Sequence, residues 1–144
     1  MAKPDFQEML DTALPFVKRM LAECGDFIPF GIRLPIAGKA EFMNADVGVE
    51  HPRSADVMLL LESTLKNEAE HGQIRGGAIC FMGRVTRPGE STPVDVATFR
   101  MAHVSGEMLD VFLPYGISGD DHVTYSALFA AKGASFGLTR QQQS

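Results

Sequence analysis

The sequence predicts an α+β protein: a mainly antiparallel sheet of about five strands, in the order α-β-β-α-β-β-β, covered by two helices. Three observations carry this. Two segments repeat apolar side chains at three- and four-residue spacing, the mark of an amphipathic helix. Apolar or alternating runs fill the last third of the chain. The turns between those runs are of hairpin length, which joins antiparallel neighbours. Two helices with one apolar stripe each must then bury those stripes against the sheet.

Residues 5 to 24 form the first helix, with Phe6, Met9, Leu10, Ala13, Val17, Met20, Leu21 and Cys24 in register and Gly25 as the stop. Pro15 conflicts with that pattern, because it lacks an N–H and its ring crowds the preceding turn. A kink there, or a second helix starting at Pro15, is expected. Residues 27 to 35 read as an apolar strand bounded by Pro29 and Pro35. Ala37-Gly38 is a hairpin turn, and residues 40 to 47 form a weaker return strand. His51-Pro52 closes that segment. The second helix spans Ser54 to Glu70, with Val57, Leu60, Leu61 and Leu65 as its stripe, the pair Glu62-Lys66 outside it, and Gly72 as the stop.

Residues 78 to 87 are a strand apolar on both faces, with Gly76-Gly77 as its lead-in turn and Pro88-Gly89 as its exit. Residues 94 to 104 and 108 to 115 form a hairpin about a two-residue Ser105-Gly106 loop. Leu109, Val111, Leu113 and Tyr115 share one face of the return strand. Ser118 to Asp121 is a turn, and residues 123 to 131 are a short strand or helix. Residues 1 to 138 are expected to form one domain and 139 to 144 a disordered tail. Phe30, Leu61, Phe81, Phe99 and Val111 are the expected core.

The chain has 144 residues, of which 45% are hydrophobic and 22% charged, a globular composition far from that of a disordered segment. Its formal net charge is −5. Its longest basic run is Lys18-Arg19, so no nucleic-acid backbone footprint is expected. No apolar run reaches the ~20 residues of a membrane span, and the polar N-terminus is no signal peptide. The two cysteines, Cys24 and Cys80, sit in apolar contexts that suggest buried free thiols rather than a disulfide framework. A cytoplasmic location follows from these readings, with no structural zinc and no cofactor.

Two resemblances add to this. The element order over roughly residues 5 to 117 is similar to roadblock and profilin-like domains, in which five antiparallel strands lie against helices. That order implies an edge position for the strand at 78 to 87. The helix followed by Gly25-Asp26-Phe27-Ile28-Pro29-Phe30-Gly31, with Leu113-Pro114-Tyr115 later, resembles a group of small uncharacterised bacterial proteins. That resemblance spans most of the chain and implies no activity.

The catalytic and metal signatures are weak. Glu68-x-x-His71 is half of a di-metal carboxylate motif, but no other helix supplies the matching ligands. His51, His71, His103 and His122 show no zinc spacing. Asp120-Asp121-His122 reads as a polar turn. Ser105 belongs to a tight turn, against a nucleophile role beside His103. Three ligand-binding candidates remain: Arg100, His103 and Arg33. By period-two counting, Arg100 and His103 point to opposite faces of one strand. Arg100 shares a mostly apolar face, so it either snorkels at an edge or meets an anion, snorkelling being the simpler expectation.

The leading expectation is a non-enzymatic binding or assembly module acting as a homodimer, joined edge to edge through the strand at 78 to 87; the alternative for that strand is a central, buried place within a monomer. A small-molecule-binding protein or enzyme, with a pocket between sheet and helices, is the rival. A toxin-neutralising partner protein is a third reading, since small acidic α+β domains can serve that role.

Overall fold

A computed structural model describes residues 2–43 and 53–132 of the chain. Helix α1 spans Lys3–Cys24 and helix α2 spans Ser54–Glu70. The strands are β1 Phe30–Pro35, β2 Glu41–Met43, β3 Ile74–Thr86, β4 Pro93–His103, β5 Met108–Ile117, β6 Val123–Tyr125 and β7 Phe129–Lys132. They form one sheet in the order β2-β1-β3-β4-β5-β6, with β7 also pairing β5. Every ladder is antiparallel. The fold is therefore α+β as the sequence predicts. The segment expected at 123 to 131 resolves into two further short strands, β6 and β7. The rest of the expected strand at 40 to 47, the His51-Pro52 stop and the 139 to 144 tail lie outside the described residues.

The two helices lie on opposite faces of the sheet. Alternation along each strand sends one set of side chains to each helix. On the α1 side, Met9, Ala13, Val17 and Leu21 pack on Ile32 and Leu34 of β1, Cys80 of β3, Phe99 and Met101 of β4, and Leu113 of β5. On the α2 side, Val57, Leu61, Leu65 and Ala69 pack on Met43, Ile74, Ile79 and Ala102. Phe30, Leu61, Phe99 and Val111 are buried as expected, whereas Phe81 is only partly buried. It lies one position past the end of the β1–β3 ladder, beside the first turns of α2, where it lines a cleft with Ser54 and Met58.

Helix α1 runs unbroken through Pro15, contrary to the expected kink or break. The proline is exposed, as is Asp11 one turn earlier. The carbonyl that loses its intrahelical donor therefore faces water, which can replace the bond. Gly25, at φ 76°, ends the helix with its N–H donating to the Leu21 carbonyl at 3.0 Å.

Strand β3 begins four positions earlier than expected, at Ile74 rather than residue 78. Gly76 and Gly77 are thus inside the strand and form no lead-in turn. A Cβ at Gly77 would stand 2.7 Å from Leu65 Cδ2 of α2, and one at Gly76 3.3 Å from the Ala102 carbonyl and 3.5 Å from Met9 Cε of α1. The pair lets both helices close on β3 from opposite sides.

The hairpin between β4 and β5 also differs from the expected two-residue loop. The His103 N–H donates to the Glu107 carbonyl and the Gly106 N–H to the His103 carbonyl, enclosing three residues. Gly106, at φ 97°, occupies the left-handed position such a loop requires.

Both cysteines are free, but only Cys80 is buried; Cys24 is exposed at the end of α1, against expectation. It falls on the helix stripe by spacing, yet it lies past the last turn that the sheet covers. Burial pushes the Cys80 thiol up from its ordinary value. In a thiol titration, Cys24 alone should react in the native state, with Cys80 joining it only in denaturant. A second native equivalent would place Cys80 nearer the surface than this fold allows.

Candidate functional site

The sequence offers Arg100, His103 and Arg33, and the structure brings none of them to a common site. His103 lies on the α1 side. Its Nε2 meets Asp5 Oδ2 at 2.8 Å, while its Nδ1 accepts the Ser105 N–H at 3.1 Å. A nitrogen that accepts cannot also carry the proton, so Nε2 is the protonated one and donates to Asp5. Both ring nitrogens are then occupied. The Ser105 hydroxyl donates to Glu107 Oε1 at 3.2 Å rather than to the imidazole, leaving no nucleophile–base pair.

Asp5 also accepts from Arg75 Nε at 3.3 Å. Arg75 in turn reaches the carbonyls of Pro35 and Gly38 and stands 3.8 Å from Glu8. Glu8 accepts the Ala40 N–H at 2.6 Å. These partners join the start of α1, the turn after β1, and strands β3 and β4. The cluster is a clamp with its charges matched inside the protein. Asp5 and Arg75 lie 70 positions apart, so no local pattern marks them.

Arg33 projects to the α2 side of β1 and is held by both oxygens of Glu68, Nη2 at 2.7 Å and Nε at 3.0 Å. The hydrogen bond to Glu68 raises the Arg33 pKa further above its ordinary value. This pair fixes α2 to β1 and uses the Glu of the half-motif Glu68-x-x-His71. His71 donates from Nδ1 to the Asn67 carbonyl at 2.7 Å and so serves the helix end. Among the described residues no group of His, Cys, Asp and Glu is arranged to hold a metal ion. Asp120 likewise accepts from the Ser118 hydroxyl and the His122 N–H within one turn.

Arg100 does not snorkel. Strand β4 is interior, paired with β3 and β5, so no edge is within reach. Arg100 stands opposite Asp110 in the ladder, with Nε 3.4 Å from Oδ1, and its guanidinium lies over the Phe81 ring at 5.0 Å. Arg100 also borders a groove of about 350 Å³ between α2 and the sheet, together with Ala55, Met58, Leu59, Glu62 and Ile79. Leu59 is 63% exposed on its outer wall.

A second opening lies at the end of β1. The β1–β3 ladder stops at Phe30 opposite Cys80, while β3 continues to Thr86 paired only with β4. Pro29 explains the stop, since it has no N–H to add to the ladder. Asp26, Phe27, Ile28, Pro29, Ser54, Met58, Phe81 and Met82 line a cleft of about 330 Å³ beside this unpaired edge. The Phe27 N–H points at Met82 Sδ, 3.3 Å away. The expected edge position of this strand is thus corrected. Residues 74 to 80 are interior, between β1 and β4, and only 81 to 86 lack a second neighbour among the described residues. The Gly25–Gly31 motif singled out in the sequence supplies one wall of the cleft.

Comparison with known protein families, curated proteins and solved structures finds no match to this chain. Among the described residues, no helix is long and apolar enough to cross a membrane.

Proposed function

We propose that the protein is a non-enzymatic binding or assembly module that acts as a homodimer. The observation that carries this reading is the run of β3 from Phe81 to Thr86, which among the described residues pairs only with β4 and lies next to an open cleft. Backbone N–H and C=O groups along such an edge are a template for another extended chain. The charged candidates support it from the other side. Arg33, Arg75 and His103 are each held by a carboxylate of the same chain, Glu68 for Arg33 and Asp5 for the other two, as structural clamps are.

Light scattering tests the reading. At tens of micromolar the mass should be twice that of the chain; a monomeric mass refutes it. The rival, a small-molecule site, draws on the Arg100 groove, where among the described residues the terminal guanidinium nitrogens have no hydrogen-bond partner. Ligand carried through purification in that groove, together with a monomeric mass, would favour the rival.

A further inference from the structure

We infer that a second copy of this chain pairs with the free edge of β3, antiparallel, about a two-fold axis at Gly83. The inference rests on the homodimer reading and adds the surface, the register and the contacts.

Among the described residues the other strands flanking the sheet are short, which protects an edge: β2 and β6 have 3 residues each and β7 has 4. The edge from Phe81 to Thr86 is longer and holds neither Lys nor Pro. Its single charge, Arg84, is matched across the ladder by Asp95 at 3.0 Å.

Register follows from the pleat. Directly opposed residues in an antiparallel ladder share a face, so the axis must pass at a residue and not between two. Phe81, Gly83 and Val85 face the α2 side, and Met82 and Arg84 face the α1 side. An axis at Arg84 would oppose that cation to its own copy, which is unfavourable. An axis at Met82 would draw on the Cys80 edge, which β1 already occupies. An axis at Gly83 uses only positions that have no second ladder partner among the described residues. It sets Phe81 against the partner's Val85, a favourable aromatic–β-branched pair, and Met82 against the partner's Arg84. Asp26 lines the cleft beside Met82, so the partner's Arg84 arrives next to a carboxylate. That charge match favours a second copy over an unrelated extended peptide.

Gly83 also makes the test direct. A Cβ there would meet Thr98 Oγ1 at 3.6 Å and Phe81 Cε2 at 3.9 Å, ordinary contacts, so cysteine fits. Opposed Cα atoms in an antiparallel ladder are about 4.5–5.5 Å apart, within the disulfide range of about 4.4–6.8 Å. In a Cys24→Ser background, Gly83→Cys should convert the greater part of the protein to a disulfide-linked dimer under mild oxidation. Val85→Cys alone should not, while Met82→Cys mixed with Arg84→Cys should cross-link. In the unaltered chain, amide hydrogen exchange at 81 to 85 should slow as concentration rises. A dimeric mass with no bond at position 83 and concentration-independent exchange at 81 to 85 overturns the edge pairing and leaves the homodimer standing. A monomeric mass overturns both.

Discussion

Phe99→Ala should lower the unfolding free energy by about 3–5 kcal/mol, as deletion of a fully buried aromatic does. Phe99 is 1% exposed at the centre of the sheet, under α1, with β3 and β5 on either side. No neighbour can collapse into the space, because Cys80, Met101 and Val111 around it are themselves fixed in ladders. Phe81→Ala, at low protein concentration, should cost only about 1–2 kcal/mol, from partial burial and the contact with Arg100. Chemical denaturation of both variants measures the difference. Equal losses in the isolated monomer would mean that Phe81 is covered by the chain's own residues. A cost for Phe81 that grows with protein concentration is the result that edge pairing anticipates, because the partner's Val85 would then cover the ring.

The contrast shows which features the sequence carries. The bounds of α2 could be read because its apolar stripe, its stop at Gly72 and its polar start are all local. The opposite facing of Arg100 and His103 could be read because the pleat alternates with every residue. The edge of β3 could not. Whether a strand is interior depends on which other strand closes against it, and here β1 pairs from about forty to fifty positions earlier. Even so, the residue that ends that ladder, Pro29, is visible in the sequence, where it marks only the boundary of its own strand. The clamp of Asp5, Arg75 and His103 left no pattern at all, since its members meet only after the sheet has formed. Arg100 is legible in the sequence as a cation on an apolar face. Its partner Asp110 sits one hairpin away and is recognisable only once the register is known.

Gly76 and Gly77 are legible in the sequence but not in their role. Two adjacent glycines before an apolar run suggest a turn, yet here they serve packing. Gly77→Ala should destabilise the protein by about 1–3 kcal/mol through overpacking. The new methyl would meet Leu65 Cδ2 at 2.7 Å, Cδ1 at 3.1 Å and Cγ at 3.3 Å, and Leu65 is fully buried with nowhere to move. Leu65→Ala alone should cost about 2–5 kcal/mol by leaving a cavity over β3. Combined, the two changes relieve each other, because the added methyl occupies part of the space the leucine vacates. The double variant should therefore lose less than the sum of the two, by about 1 kcal/mol or more. Gly76→Ala is the control. Its methyl points to α1 and meets Met9 and the Ala102 carbonyl, so Leu65→Ala should not relieve it. Strict additivity for Gly77 and Leu65 would show that α2 does not seat on the bare backbone of β3. Relief at Gly76 equal to that at Gly77 would show that the two helices do not hold opposite faces of the sheet.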